Sequence, residues 1–273
     1  MLKHCLFAFL LPRHRYFCSP HNCCGAINSV LMNKQQIFAA RSFCFTILLV
    51  CLVPGLMAYK NTSTLSGTQK SIVYPPANEA LHVYESLSLN ELGLSREAFL
   101  YALKGYRQLQ EKGELLNDAV LSVIDFSLPS TQKRFFVIDL NSNRLLHHTY
   151  VSHGKHSGKL MARHFSNRSS SYQSSLGFYV TGNTYFGKHG FSLRLIGKEK
   201  GINDKALQRG IVIHSADYAS EQFSKQQGYL GRSQGCPAVP ETVHQQLITS
   251  IQNGSCLFIY SPSRLYLKQS GMI

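Results

Sequence analysis

Two side chains able to share one reaction, His214 and Cys236, stand 22 positions apart in this chain of 273 residues. His214 ends an apolar run, Gly210-Ile211-Val212-Ile213, that reads as a buried strand. Cys236 follows Gly231-Arg232-Ser233-Gln234-Gly235 and precedes Pro237, a setting of turn residues in which a core thiol is out of place. A thiol becomes a nucleophile when a base takes its proton, and an imidazole at a strand end is well placed for that. The chemistry these types supply is acyl transfer. Three neighbours add to it. A helix expected to start at Pro240 would turn its positive end towards Cys236 and favour a thiolate. Gly235 lets the backbone approach a substrate, so that the N–H groups of Gly235 and Cys236 could hold an oxyanion. Arg232 supplies positive field or binds a carboxylate bidentately.

The rival chemistry is metal-assisted hydrolysis. His153 and His156, with His214 and Asp217, contain enough donors for a zinc site. That set leaves Cys236 and its glycine-rich approach without a task, so thiol chemistry is the stronger reading. His147, His148 and His244 read as surface residues, and Tyr185 and His189 as groove or packing residues. Cys256 lies in the apolar run Ser255–Tyr260 and reads as core, with a Cys236–Cys256 disulfide as the alternative for the pair.

The elements that must position these groups are mostly strands. Ser95 is a helix N-cap, and Phe99, Leu103, Tyr106 and Leu109 form one apolar face up to Gly113. A shorter helix is expected over Glu79–Ser86. Strands are expected at Val120–Phe126, Arg134–Leu140, Arg144–Val151, Leu176–Thr181, Phe191–Ile196, Gly210–His214 and Ser255–Tyr260, with a hairpin turn at Asn141-Ser142-Asn143 and a long loop at Ser152–Ser175. One late helix follows Pro240, with Val243, Leu247, Ile248 and Ile251 as its buried stripe. The expected organisation is a signal region (1–58), a linker (59–78), a helical segment (79–118), a β-rich catalytic domain (119–262) and a tail (263–273).

The signal region differs sharply from the rest. All 14 acidic residues lie beyond it, whereas six of the eight cysteines lie within it. Met32 opens a secretory pattern: Lys34 and Arg41, then the apolar run Phe43–Val53, then Leu56-Met57-Ala58 as a cleavage site. The run is shorter than the ~20 residues that span a bilayer, so cleavage is favoured over an anchor. Residues 1–31 are read as lying upstream of the true start. Beyond Ala58 remain 23 Lys and Arg against the 14 acids, and of the cysteines only Cys236 and Cys256. The basic residues are scattered, which with export disfavours nucleic acid and suits an anionic envelope polymer or surface. Membrane contact is expected only through the signal segment, and no oligomeric state is indicated.

The motif Ile213-His214-Ser215-Ala216, followed by Gly231-Arg232-Ser233-Gln234-Gly235-Cys236-Pro237-Ala238, resembles the active-site signature of the murein L,D-transpeptidase catalytic-domain family. Asp125-Phe126-Ser127, Ser174-Ser175-Leu176-Gly177-Phe178, Tyr185–Gly190, Gly201-Ile202-Asn203-Asp204 and Gly254–Phe258 extend the resemblance over roughly Leu94–Tyr260. Gln234 before Gly235, and Ala238 two residues after Cys236, mark a separate branch from the one with His-Gly before the cysteine and Asn or Arg after it. The resemblance implies a mostly β (α+β) fold, a β-sandwich catalytic domain with a small N-terminal helical segment and one late helix. It implies an exported enzyme of the periplasm or envelope acting on peptidoglycan tetrapeptide stems. Cys236 would be the nucleophile and His214 the base, with the Ser215 carbonyl orienting the imidazole. Gly235, Gln234, Ser233, Arg232 and Tyr185 would form the oxyanion and substrate-binding set. The thioester would release D-alanine and pass to an amine or to water, with no metal or organic cofactor. A carboxypeptidase, or a binding module that has lost catalysis, is the alternative.

Overall fold

A computed structural model describes residues 77–273. The expected signal, the Met32 start and all but the end of the linker lie outside the described residues. Helix α1, Ala77–Ser86, takes in the last two linker positions. Helix α2, Arg96–Glu111, begins where Ser95 accepts the Ala98 N–H at 3.2 Å, and it buries Phe99, Leu103, Tyr106 and Leu109 as expected. That face packs on strands β1 (Val120–Asp125) and β8 (Cys256–Tyr260).

Gly105 seats α2 against the sheet. A Cβ there would run into the ring of Phe178, which is itself fully buried and stacked on Phe258 at 4.2 Å. The ring has nowhere to retreat. Gly105→Ala is therefore expected to destabilise despite the gain in helix propensity: overpacking costs about 1–3 kcal/mol, against about 1 kcal/mol from replacing glycine. A lowered melting temperature is the expected result, and a raised one would show that the helix does not sit this close.

The remaining strands are β2 (Phe135–Asp139), β3 (Arg144–Thr149), β4 (Gly177–Gly187), β5 (Gly190–Gly197), β6 (Val212–Ser215) and β7 (Ala238–Val239). They form one eight-stranded sheet in the order β3-β2-β1-β8-β4-β5-β6-β7. The pairs β1–β8 and β6–β7 are parallel and the others antiparallel. The chain leaving the β3 edge returns to the opposite edge, where the Ser152 N–H donates to the Ala238 carbonyl at 2.8 Å. Helix α4 (Glu241–Ile251) touches β1, β3, β5 and β6, strands from both halves of the sheet. The mostly β expectation holds, with the two faces supplied by a sheet rolled almost closed.

Two helices and the two-residue strand β7 escaped the sequence, and one strand is longer than expected. β4 runs on to Gly187 because Gly182 lies at an irregularity in the β4–β5 ladder rather than ending the strand. Helix α3 (Glu221–Gln227) lies within the stretch read as loop. It has no apolar stripe, and is fixed instead by Ser220, which accepts the Phe223 N–H, and by Gly228 at φ 73°. Helix α5 (Arg264–Gln269) occupies the expected tail.

Candidate active site

His214 and Cys236 are brought together by the parallel pairing of β6 with β7. His214 lies opposite Ala238, two residues beyond Cys236. The Cys236 Sγ lies 3.6 Å from the Gly210 carbonyl, and the Val212 N–H also faces it. Both side chains open on a cleft of about 870 Å³, whose wall also includes Tyr185, Arg232, Ser233 and Gln234.

The imidazole is 3% exposed, with Nδ1 2.8 Å from the Ser215 carbonyl. A carbonyl only accepts, so Nδ1 carries the proton and Nε2 is left as the base. Ser215 contributes this carbonyl and is not part of the cleft wall. The ring of His189 stacks on that of His214, centroids 4.4 Å apart and planes 25° apart. Burial pushes the His214 pKa below its ordinary value, and the charge of His189 pushes the same way against the Ser215 bond. Burial pushes the Cys236 thiol up, offset in part by the Val212 N–H and the Arg209 charge. Both shifts favour a neutral thiol beside a neutral imidazole at neutral pH.

Two sequence-based arguments need correction. Helix α4 begins at Glu241, and Pro237, strand β7 and Pro240 separate it from Cys236. Five residues of near-extended chain cover about 16 Å, whereas the helix-end effect fades within a turn. The helix therefore gives the thiolate no help. Gly235 also differs from expectation: its N–H is committed to Ser233 Oγ at 3.0 Å, and that hydroxyl donates to the Cys236 carbonyl at 2.6 Å. Ser233, on the cleft wall, also pins the turn. Of the two N–H groups expected to face an oxyanion, that of Gly235 is thus already engaged.

Arg209 was not foreseen. Its guanidinium donates to Ser166 O (2.7 Å), Ser175 Oγ (2.5 Å), Gln173 O (2.7 Å) and Ser171 Oγ (3.3 Å), which fixes a positive charge beside the thiol. In the sequence it is a lone arginine before Gly210, with nothing to link it to a loop some 40 residues earlier. Arg232 lies where expected, on the cleft wall, with one N–H on Gly158 O at 3.3 Å. Tyr185 stands on the wall with Arg194 over its ring at 4.4 Å.

The zinc set does not assemble. His153 Nδ1 accepts from Arg134 at 2.8 Å, because arginine has no acceptor, and Nε2 donates to Gly158 O at 3.2 Å. Both ring nitrogens are occupied. His156 Nδ1 is bonded to Ser171 O, and Asp217 Oδ1 to the Tyr218 N–H. Among the described residues no three His, Cys, Asp or Glu are grouped to hold a metal ion. Cys236 and Cys256 are both free thiols, the latter wholly buried in β8.

Arg134 and His153 form a buried support beneath the site. Arg134 has no exposure and donates to Val151 O and Leu128 O as well as to His153. The His153 carbonyl accepts the Ser233 N–H at 3.0 Å, which ties this support to the cysteine loop. Burial, then the charge of Arg134, lowers the His153 pKa from 6.5 to about 3. The unfolded chain binds this proton first, so stability is present above pH 6.5 and is lost as pH falls towards 3. The loss from this group alone is about 1.4 kcal/mol per pH unit in that window. His153→Gln keeps an acceptor and a donor without the titration. The expected outcome is a smaller drop in melting temperature between neutral pH and about pH 4.5, and an unchanged drop would assign the acid sensitivity elsewhere.

The chain is similar in structure to an L,D-transpeptidase from Mycobacterium smegmatis, at 16% identity and a TM-score of 0.33, covering 52% of this chain and 59% of that one. It is also similar to one from Mycobacterium tuberculosis, at 13% identity and a TM-score of 0.34, covering 52% and 58%. A mutant of the helical cell shape determining protein Pgp2 from Campylobacter jejuni matches at 14% identity and a TM-score of 0.35, covering 63% and 58%. The chain spans a little under three-fifths of the length of these structures. No curated protein matches it in sequence. A family model described as the L,D-transpeptidase catalytic domain matches residues 90–260, more than half of the sequence and all of the site, and the chain belongs to that family.

Proposed function

We propose that this protein is a peptidoglycan L,D-transpeptidase with Cys236 as nucleophile. The observation that carries the reading is the free Nε2 of His214, its tautomer set by Ser215, in the same cleft as the Cys236 thiol. Sγ attacks the carbonyl at the L-centre of the diamino acid in a tetrapeptide stem while Nε2 takes the thiol proton. The tetrahedral oxyanion is held by the Cys236 N–H. Collapse breaks the C–N bond, and the imidazolium protonates the departing D-alanine. An acceptor amine then attacks the thioester and gives its proton to His214, the S–C bond breaks, and the sulfur recovers a proton. Water in place of the amine trims the stem to a tripeptide. The proposed place of action is the periplasm or cell envelope, reached by export.

Incubation with disaccharide-tetrapeptide and mass analysis of the products tests this. Loss of D-alanine from the stem is expected with the native protein and not with Cys236→Ala. Dimer identifies an amine acceptor, and tripeptide identifies water. Equal release by the variant would end the thiol mechanism.

A further inference from the structure

The wall of the cleft contains Lys155, Lys188, Arg209 and Arg232 and no aspartate or glutamate. The chain is not short of acids, since 14 lie beyond the signal region, so their exclusion is local. Nor are these four cations neutralised by ion pairs. Lys155 lies over the Tyr172 ring at 4.1 Å, and Arg232 lies over Tyr229 at 5.5 Å. Arg209 is held by carbonyl and hydroxyl oxygens alone. The ion pairs found among the described residues, Lys198–Glu114 and Lys225–Glu221, involve none of them. Asp217, beside the wall residue Tyr218, turns its carboxylate to a backbone N–H and is not part of the wall.

Cations seated on ring faces and neutral oxygens keep their whole charge. Gathered around one cleft, they repel one another and gain nothing in the free protein. A ligand with several carboxylates relieves that repulsion, whereas one whose carboxyl groups are amides leaves the cations unpaired while they lose water. We propose that the cleft selects stem peptides bearing free carboxylates around the scissile bond and discriminates against stems amidated at those positions. This rests on the transpeptidase reading of the site and adds the charge state of the substrate to it.

The test uses two disaccharide-tetrapeptides, identical except that the side carboxyl groups of the second and third residues are free in one and amidated in the other. Competing in one reaction, the free-acid stem is expected to be used at least about tenfold faster in kcat/KM. The ratio should contract at about 0.5 M salt, where exposed charges are screened. Lys155 and Lys188 have exposed side chains, so Lys155→Gln/Lys188→Gln is expected to fold. In that variant the ratio should fall by about threefold or more. A ratio near one in the native protein, or a ratio unmoved by salt and by the double variant, overturns the proposal. If neither stem loses D-alanine in a Cys236-dependent way, the transpeptidase reading is what fails. Calorimetric binding of the two stems to Cys236→Ala still reports the charge selectivity: tighter binding of the free acid supports it, and equal binding overturns it.

Discussion

With His214 replaced by alanine, D-alanine release by Cys236 is expected to fall by about 10³-fold, the middle of the range for a positioned acid–base group. The size of the loss follows from the state of the thiol. Burial holds the Cys236 pKa above its ordinary value, so little thiolate exists at neutral pH without a base to take the proton. The pH profile has a matching form. The acid limb of kcat/KM should lie below the ordinary histidine value of 6.5, because the buried imidazole stays neutral further into acid. The alkaline limb should lie above the ordinary thiol value of 9.0. Initial rates of D-alanine release across pH measure the first, and alkylation of Cys236 across pH measures the second. A loss below about tenfold in His214→Ala, or rapid alkylation at neutral pH, would show that the thiol is activated by something else.

The second large effect is expected at Gly235, through geometry rather than proton transfer. Its φ is +127°, a conformation that side-chain-bearing residues rarely adopt, and a Cβ there would lie 2.8 Å from the Gln173 carbonyl oxygen. That oxygen cannot give way freely, since Arg209 holds it at 2.7 Å. Gly235→Ala therefore strains the backbone, at about 1–3 kcal/mol, and pushes the turn bearing Cys236 away from Arg209. A displacement of about 1 Å at a reacting group can cost about 100-fold. The expectation is a fall of that order in kcat with a lowered melting temperature. Gly113→Ala is the control, with φ +67° but no atom within 4 Å of the added Cβ. It should lose stability through backbone strain while keeping activity. Full activity in Gly235→Ala would show that the turn tolerates movement and that its conformation is incidental.

Much of this was legible in the chain, and what was not has physical reasons. The face of α2 was written in the spacing of Phe99, Leu103, Tyr106 and Leu109, because a helix on a sheet must repeat its apolar residues every turn. His214 at a strand end and Cys236 in a turn were visible for the same kind of reason. Strand β7 was not, because two residues carry no periodicity. Its existence decides the site all the same, since it sets the register that brings the cysteine loop to His214 and puts the helix start too far away. Arg209 and the Arg134–His153 support were hidden because most of their partners are carbonyls and hydroxyls of segments without regular structure. A sequence records which residues can donate, and leaves unstated which distant carbonyl will accept. His153 was the more misleading for resembling a ligand. Its burial and its two hydrogen bonds make it a structural residue.

The position of β8 bears on when this molecule becomes an enzyme. Residues 256–260 lie between β1, about 135 positions earlier, and β4, so that β1–β3 and β4–β7 are joined in the sheet only through a strand made after all of them. Until Tyr260 has been synthesised, β1 and β4 each present an unpaired edge, and the rolled sheet that holds His214 against the Cys236 loop cannot close. Pairing over such a separation makes folding slow as well as late. A growing chain is therefore expected to stay open, its two halves of sheet unjoined, until its last strand has been made.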